Sequence, residues 1–270
     1  MSETALVDAQ ALAEEDETII AVVSVGGGHR TTDAHSHARG QLLAPLKGLI
    51  TVGSNRRQWI VPAIHAVWVP PHAPHSMRSH GDFAGWSIYV AGRASAGLPP
   101  GITTIQTSAL LREAVKRSAA WPRGLRGPQR DRLSAVILDE IEGAPRANFD
   151  LPMPADARLL QVARRLAEDP GSTETIRELA TAAAIPGRTF ARHFVNETGL
   201  TFDEWRRRAR LLRSLELLSS NMHVTTVALD LGYSSISAFI SVFRKAFGIT
   251  PAQYRGGGVI SMAGSGDIPA

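Results

Sequence analysis

Near its C-terminal end the sequence repeats itself, and the repeat limits what the chain can fold into. Phe190-(x)3-Phe194-(x)4-Gly199-Leu200-Thr201 returns as Phe239-(x)3-Phe243-(x)4-Gly248-Ile249-Thr250, with the same spacing throughout. Aromatics four residues apart share a helix face, and a glycine just beyond them is a helix stop. In the second copy Phe239, Val242, Phe243 and Ala246 make an apolar stripe, while Ser237, Ser241, Arg244 and Lys245 make a polar stripe on another face. Ser235 stands where an N-cap belongs, and Gly248 and Pro251 end the helix. Upstream, Val227, Ala228 and Leu231 predict a short helix stopping at Gly232. Two helices about a glycine turn, present twice, are two helix-turn-helix units.

The segment between the copies supports this reading. Thr201-Phe202-Asp203-Glu204 is a capping box opening a helix that runs to about Ser219. Trp205, Ala209, Leu212, Leu215 and Leu218 mark its buried side; Arg206, Arg207, Arg208, Arg210 and Arg213 fall mostly outside and read as solvated charge. In the first copy Arg188 and Arg192 form a basic stripe. A long helix holding two such units apart would present both second helices to adjacent major-groove turns, about 34 Å apart. Short serines let a helix approach base edges, arginine pairs with guanine, and Arg244 and Lys245 suit phosphate.

Charge follows the same division. Residues 155–255 hold 14 basic and 10 acidic residues, while residues 1–100 hold 7 and 8. The basic end is thus the helical end, as a polyanion partner requires. No apolar run is long enough to span a membrane, and the N-terminus carries Glu14, Glu15, Asp16 and Glu17 in place of a basic leader. The chain has no cysteine, so disulfides and thiolate metal sites are excluded, in keeping with a cytoplasmic protein.

The N-terminal half reads as strands. Thr18–Val25, Gln41–Leu46, Gly48–Val52, Gln58–Val61, Ala66–Val69, His75–Arg78 and Trp86–Val90 are β-rich runs broken by turn residues. Gly26-Gly27-Gly28 is a plain turn, since no phosphate-binding helix follows it. Ser108–Ala120 and Pro128–Glu142 are amphipathic helices that either close the sheet or pair two subunits, and Gly143–Pro154 is a linker. The expected fold is α+β, divided as 1–17 disordered, 18–101 a small antiparallel barrel, 102–154 connecting helices and linker, 155–255 all helical, and 256–270 a disordered tail.

Residues 155–255 resemble the DNA-binding domain of AraC/XylS-type bacterial transcription regulators. The resemblance rests on Val227-Ala228-Leu229-Asp230-Leu231-Gly232-Tyr233, followed by Phe239, Phe243, Arg244, Phe247-Gly248, Thr250-Pro251 and Tyr254-Arg255. It implies seven helices with two helix-turn-helix units and binding to double-stranded promoter DNA. Arg188, Arg192, Ser237 and Ser241 would read bases, with Arg244 and Lys245 on phosphate. It also implies a homodimer, with RNA polymerase a candidate partner. Ile185-Pro186-Gly187 departs from the family, which usually has a capping serine there.

The first half resembles a cupin barrel, the effector domain of many such regulators. Seven of nine histidines lie between His29 and His80. His35-Ser36-His37-(x)3-Gln41-(x)6-Gly48 matches the first cupin motif with Gln41 in place of glutamate; Pro70-Pro71-His72-Ala73-Pro74-His75 matches the second with His72 in place of glycine. His35 and His37, two apart, would share one strand face, and His37, Gln41 and His75 could join His35 around a divalent transition metal. The competing expectation is a metal-free pocket for a small organic effector. Trp59, Trp68 and Trp86 are expected in the core. The reading is therefore a regulator that senses an organic molecule or metal ion, without catalysis. The rival, a metal-dependent cupin enzyme fused to a DNA-binding module, lacks a placed acid or base, since Asp33 and Asp82 are the only nearby carboxylates.

Overall fold

The computed structural model describes residues 17–24, 29–54, 57–63, 65–122, 124 and 126–256. The expected disorder of 1–17 and 256–270 lies outside them apart from Glu17 and Gly256, and so does the Gly26-Gly27-Gly28 turn. The chain divides into two compact units, one of Met1–Ser54 and Val61–Asn148, the other of Asn55–Ile60 and Phe149–Ala270.

The first unit is an antiparallel sheet with two helices. Its strands are β1 (Ile19–Ser24), β2 (Thr31–His35), β3 (Gly40–Gly53), β5 (His65–Val69), β6 (His75–Val90), β7 (Thr103–Gln106) and β8 (Arg146–Ala147); β4 (Arg57–Pro62) falls mostly in the other unit. The order is β1-β6-β3-β5-β7-β8, with β2 also on β6. Two pairs of predicted strands prove to be single long ones. β3 runs through a register shift between Pro45 and Leu49, and β6 runs unbroken from His75 to Val90. Pairing of β3 and β6 along their length overrides the turn-forming residues within them.

Alternation along these strands separates two faces. Leu42, Ala44, Ile88 and Val90 enter a core shared with Trp68 and Trp86. Helices α1 (Ala109–Ala119) and α2 (Pro128–Glu142) bring Leu111, Ala114, Val115, Ile137 and Ile141 into that same core. Their apolar faces are thus used within this chain, on the sheet. The Trp68 indole donates to Pro99 O at 2.9 Å, so the largest core side chain leaves no buried donor unmet. Glu17 is anchored to this unit by an ion pair with Arg130.

The second unit is helical apart from a short β ribbon: α3 (Ala157–Glu168), α4 (Ile176–Ala182), α5 (Gly187–Thr198), α6 (Phe202–Ser219), α7 (Val224–Asp230), α8 (Ile236–Phe247) and α9 (Pro251–Arg255). The sequence repeat is a structural repeat. Phe190, Phe194, Phe239 and Phe243 are all fully buried. Both α5 and α8 end on a left-handed glycine, Gly199 and Gly248, each at φ 75°, where only glycine avoids a steric penalty. Thr201 and Thr250 then cap the next helices, each in a reciprocal box with Glu204 or Gln253.

The stretch read as a linker holds β9 (Asp150–Pro152), which pairs with β4 inside this unit. Phe149 is fully buried and stacks on Phe247, and the Trp205 indole donates to Pro152 O at 2.6 Å. Its prolines suggested a loose connection, but its apolar side chains are spent on the helices. The α6 arginines also differ from expectation. Arg208 is buried and donates to Asp150 Oδ1 at 2.7 Å and Asp150 O at 2.6 Å, while Arg57 pairs with the other carboxylate oxygen. Arg206 donates to Glu174 O and Ser172 O, and Arg210 to Pro170 O. These guanidiniums fasten the loop before α4 and the ribbon, because carbonyls there would otherwise face the helix without donors.

Candidate functional site

In the helical unit, α8 is capped by the Ser235 side chain, which accepts from Ala238 N at 3.1 Å. Its buried stripe is Phe239, Phe243, Ala246 and Phe247. The opposite face carries Ser237, Ser241, Arg244 and Lys245, all exposed and lining one open shallow groove together with Ile240. Helix α5 begins at Gly187 after Pro186, with no side-chain cap. Arg188 and Arg192 are both exposed on it, one turn apart. The six residues singled out in the sequence are therefore on the surface, on the second helix of each helix-turn-helix unit.

In the sheet unit a separate pocket opens between β2, β3 and β6. His35 stands opposite His75 in the β2–β6 pair, and Gln41 opposite Tyr89 in the β3–β6 pair. His37 lies beyond the end of β2, in the connection to β3, so His35 and His37 do not share a strand; the turn at 36–39 brings the second ring round. Among the described residues His35, His37 and His75 each place one ring nitrogen within 4.8 Å of the others. Gln41 Oε1 lies 3.2 Å from His37 Nε2 and 3.1 Å from His75 Nε2. Burial lowers the pKa of His37 and, with the neighbouring rings, pulls that of His75 down to about 4; it pushes the Tyr89 phenol up to about 12. Leu43, Ile50, Met77, Phe83 and Trp86 line the rest, with Arg30, Thr31 and Thr32 also contributing. Arg30 and Tyr89 escaped the sequence reading, since neither belongs to a motif; only the strand register puts them beside the histidines. His72 adopts φ 62°, the left-handed conformation natural to the glycine that the motif has there, and its N–H donates to His37 O at 2.8 Å.

Two family descriptions cover most of the chain. The AraC-like ligand binding domain matches residues 22–180, and a helix-turn-helix domain matches residues 179–257. The HTH-type transcriptional regulator NimR of Escherichia coli (strain K12) is 31% identical over 233 residues, 86% of this chain and 85% of its own length. The chain belongs to the AraC family of transcription regulators. This regulator is also similar to the HTH-type transcriptional regulator RipA of Corynebacterium glutamicum, 30% identical over 118 residues, which are 44% of this chain and 35% of RipA. Among solved structures, the DNA-binding domain of AdpA in complex with a target DNA aligns with a TM-score of 0.34 and 32% identity, over 36% of this chain and 88% of that one. The AraC-family regulator thus pairs a ligand-binding domain with a DNA-binding domain, and these relatives are regulators, not enzymes. Among the described residues no helix is long and apolar enough to cross a membrane.

Proposed function

We propose that this AraC-family regulator is a cytoplasmic homodimer that reads promoter DNA with α5 and α8 and changes its promoter occupancy when a small effector enters the sheet-domain pocket. The observation that carries the DNA half is the repeated surface: Arg188 and Arg192 on α5, and Ser237, Ser241, Arg244 and Lys245 on α8, exposed on helices whose other faces are locked by the same buried aromatic pairs. In this reading Arg188 and Arg192 bond guanine edges, Ser237 and Ser241 let α8 approach the bases, and Arg244 and Lys245 neutralise phosphate. Effector binding acts by population shift, through differential affinity for two arrangements of the protein, with RNA polymerase the partner that reads the outcome.

The test uses a duplex selected by the purified protein from a randomised pool. Arg192→Ala is expected to weaken that duplex by about 1–3 kcal/mol and to relax preference at one base pair only. Lys245→Ala is expected to weaken all sequences alike and to flatten the salt dependence by about one unit of slope. Equal preference for every base in the Arg192→Ala and wild-type proteins would remove α5 from the reading surface.

A further inference from the structure

We infer that Ile236 and Ile240 form an apolar ridge on α8 that packs on the C5 methyl groups of thymine, so that methyl groups select the α8 half-site and guanine selects the α5 half-site. This rests on the reading of α5 and α8 as base-contacting helices, and names the bases. The Ser235 side chain caps α8 by accepting from Ala238 N at 3.1 Å, which makes Ile236 the first residue of the helix. Ile236 is 39% exposed. Ile240 stands one turn further on, half-buried, and lines the open groove with Ser237, Ser241, Arg244 and Lys245. A single exposed aliphatic side chain is ordinary on a protein surface; two on adjacent turns, beside Ser237 and Ser241, make a continuous apolar strip. The strip lies on the N-terminal half of the second helix of its unit, the part that meets base edges when such a helix enters the major groove.

The internal repeat gives the strip its contrast. Phe190 matches Phe239, so Gly187 and Ala191 take the places of Ile236 and Ile240, and Arg188 and Arg192 those of Ser237 and Ser241. The same four positions thus hold long cations beside small residues on α5, and aliphatic side chains beside short hydroxyls on α8. On α5 the arginines reach furthest from the helix, and their guanidiniums match the paired acceptors of guanine. On α8 the isoleucines stand taller than the serines, so they meet the bases first. A serine hydroxyl bonds to many base edges and discriminates little, whereas the thymine methyl is the apolar group that the major groove offers. Isoleucine in a helix keeps essentially one χ1 rotamer, so little side-chain freedom is lost on contact. Residues four apart are separated by about 6 Å along a helix, close to two base steps of about 3.4 Å, which places the contacted methyls within about two base pairs of each other.

The experiment uses the full chain and the duplex it selects from a randomised pool, with each thymine replaced in turn by deoxyuridine. That exchange removes the methyl and leaves every hydrogen-bonding group of the base in place. Affinities are read by fluorescence anisotropy. In the half-site whose base preference survives Arg192→Ala, two neighbouring positions are expected to weaken by about fourfold each, the worth of one buried methyl group. Ile236→Ala removes an exposed side chain and is expected to keep the wild-type unfolding midpoint. At one of the two positions it is expected to bind dT and dU alike, while the guanine preference of the other half-site stays. Ile240→Ala is expected to do the same at the second position. An α8 half-site without thymine, or one bound equally well with deoxyuridine throughout, would overturn the ridge and leave the DNA reading standing. Deoxyuridine sensitivity that persists in both variants would also overturn it, by assigning the effect to DNA shape. A protein that selects no duplex at all would refute the reading of the two helices, and the ridge with it.

Discussion

Ser241→Glu is expected to abolish specific DNA binding while leaving the fold unchanged. Ser241 is exposed in the middle of the outer face of α8, on the side away from Phe239 and Phe243. On the proposed reading face, a carboxylate there would meet base-edge acceptors and phosphates at close range. Like-charge juxtaposition at an interface costs several kcal/mol, and about 3 kcal/mol already corresponds to a hundredfold in Kd. The substitution touches no buried group, so the unfolding midpoint should move by no more than a surface change does, about 0.5 kcal/mol. Ser241→Ala separates charge from contact, since it removes a hydroxyl and leaves space for the helix to approach. Gel-shift titration of both variants on the selected duplex checks this; wild-type affinity in Ser241→Glu would mean that a different face of α8 meets DNA.

Asp150→Ala has the largest expected effect on stability. Asp150 Oδ1 accepts from the Arg208 guanidinium at 2.7 Å, and the Asp150 and Arg208 side chains are 7% and 9% exposed. Removing the carboxylate takes away the ion pair of a buried guanidinium with Asp150, which costs about 3–5 kcal/mol. Against a usual domain stability of about 5–15 kcal/mol, that is enough to populate the unfolded helical unit in mild urea. Arg57 loses its ion pair with Asp150 as well, but it is half exposed and water replaces the contact at small cost. Asp150→Asn keeps an acceptor and should lose less. Urea unfolding followed through Trp205, whose indole is bonded to Pro152 O in the same ribbon, reads both variants.

The helical half was legible in the sequence for physical reasons. Its aromatic pairs, glycine stops and threonine caps act over four or five residues, so spacing alone locates α5, α8 and the start of α6. The sheet half was less so. The expected strands ended at Leu46 and resumed at Gly48, and ended at Arg78 and resumed at Trp86, yet β3 and β6 each run through, because cross-strand pairing is settled by residues about forty positions away. The same non-local pairing brings His35 opposite His75 and places Gln41 between His37 and His75, which the motif spacing suggested without showing how the rings are oriented. Arg208 defeated the sequence reading altogether. It looks like its neighbours Arg206 and Arg207, and only the position of Asp150, fifty-eight residues upstream, makes it a buried partner.

The central claim, that two equivalent helices read DNA together, is tested most directly by hydroxyl-radical footprinting of the full chain on its selected duplex. Two protected stretches on one face of the DNA, spaced by about one helical turn of 10–10.5 base pairs, are expected. A single short protected stretch, unchanged when Arg188 and Arg192 are both replaced by alanine, would contradict it.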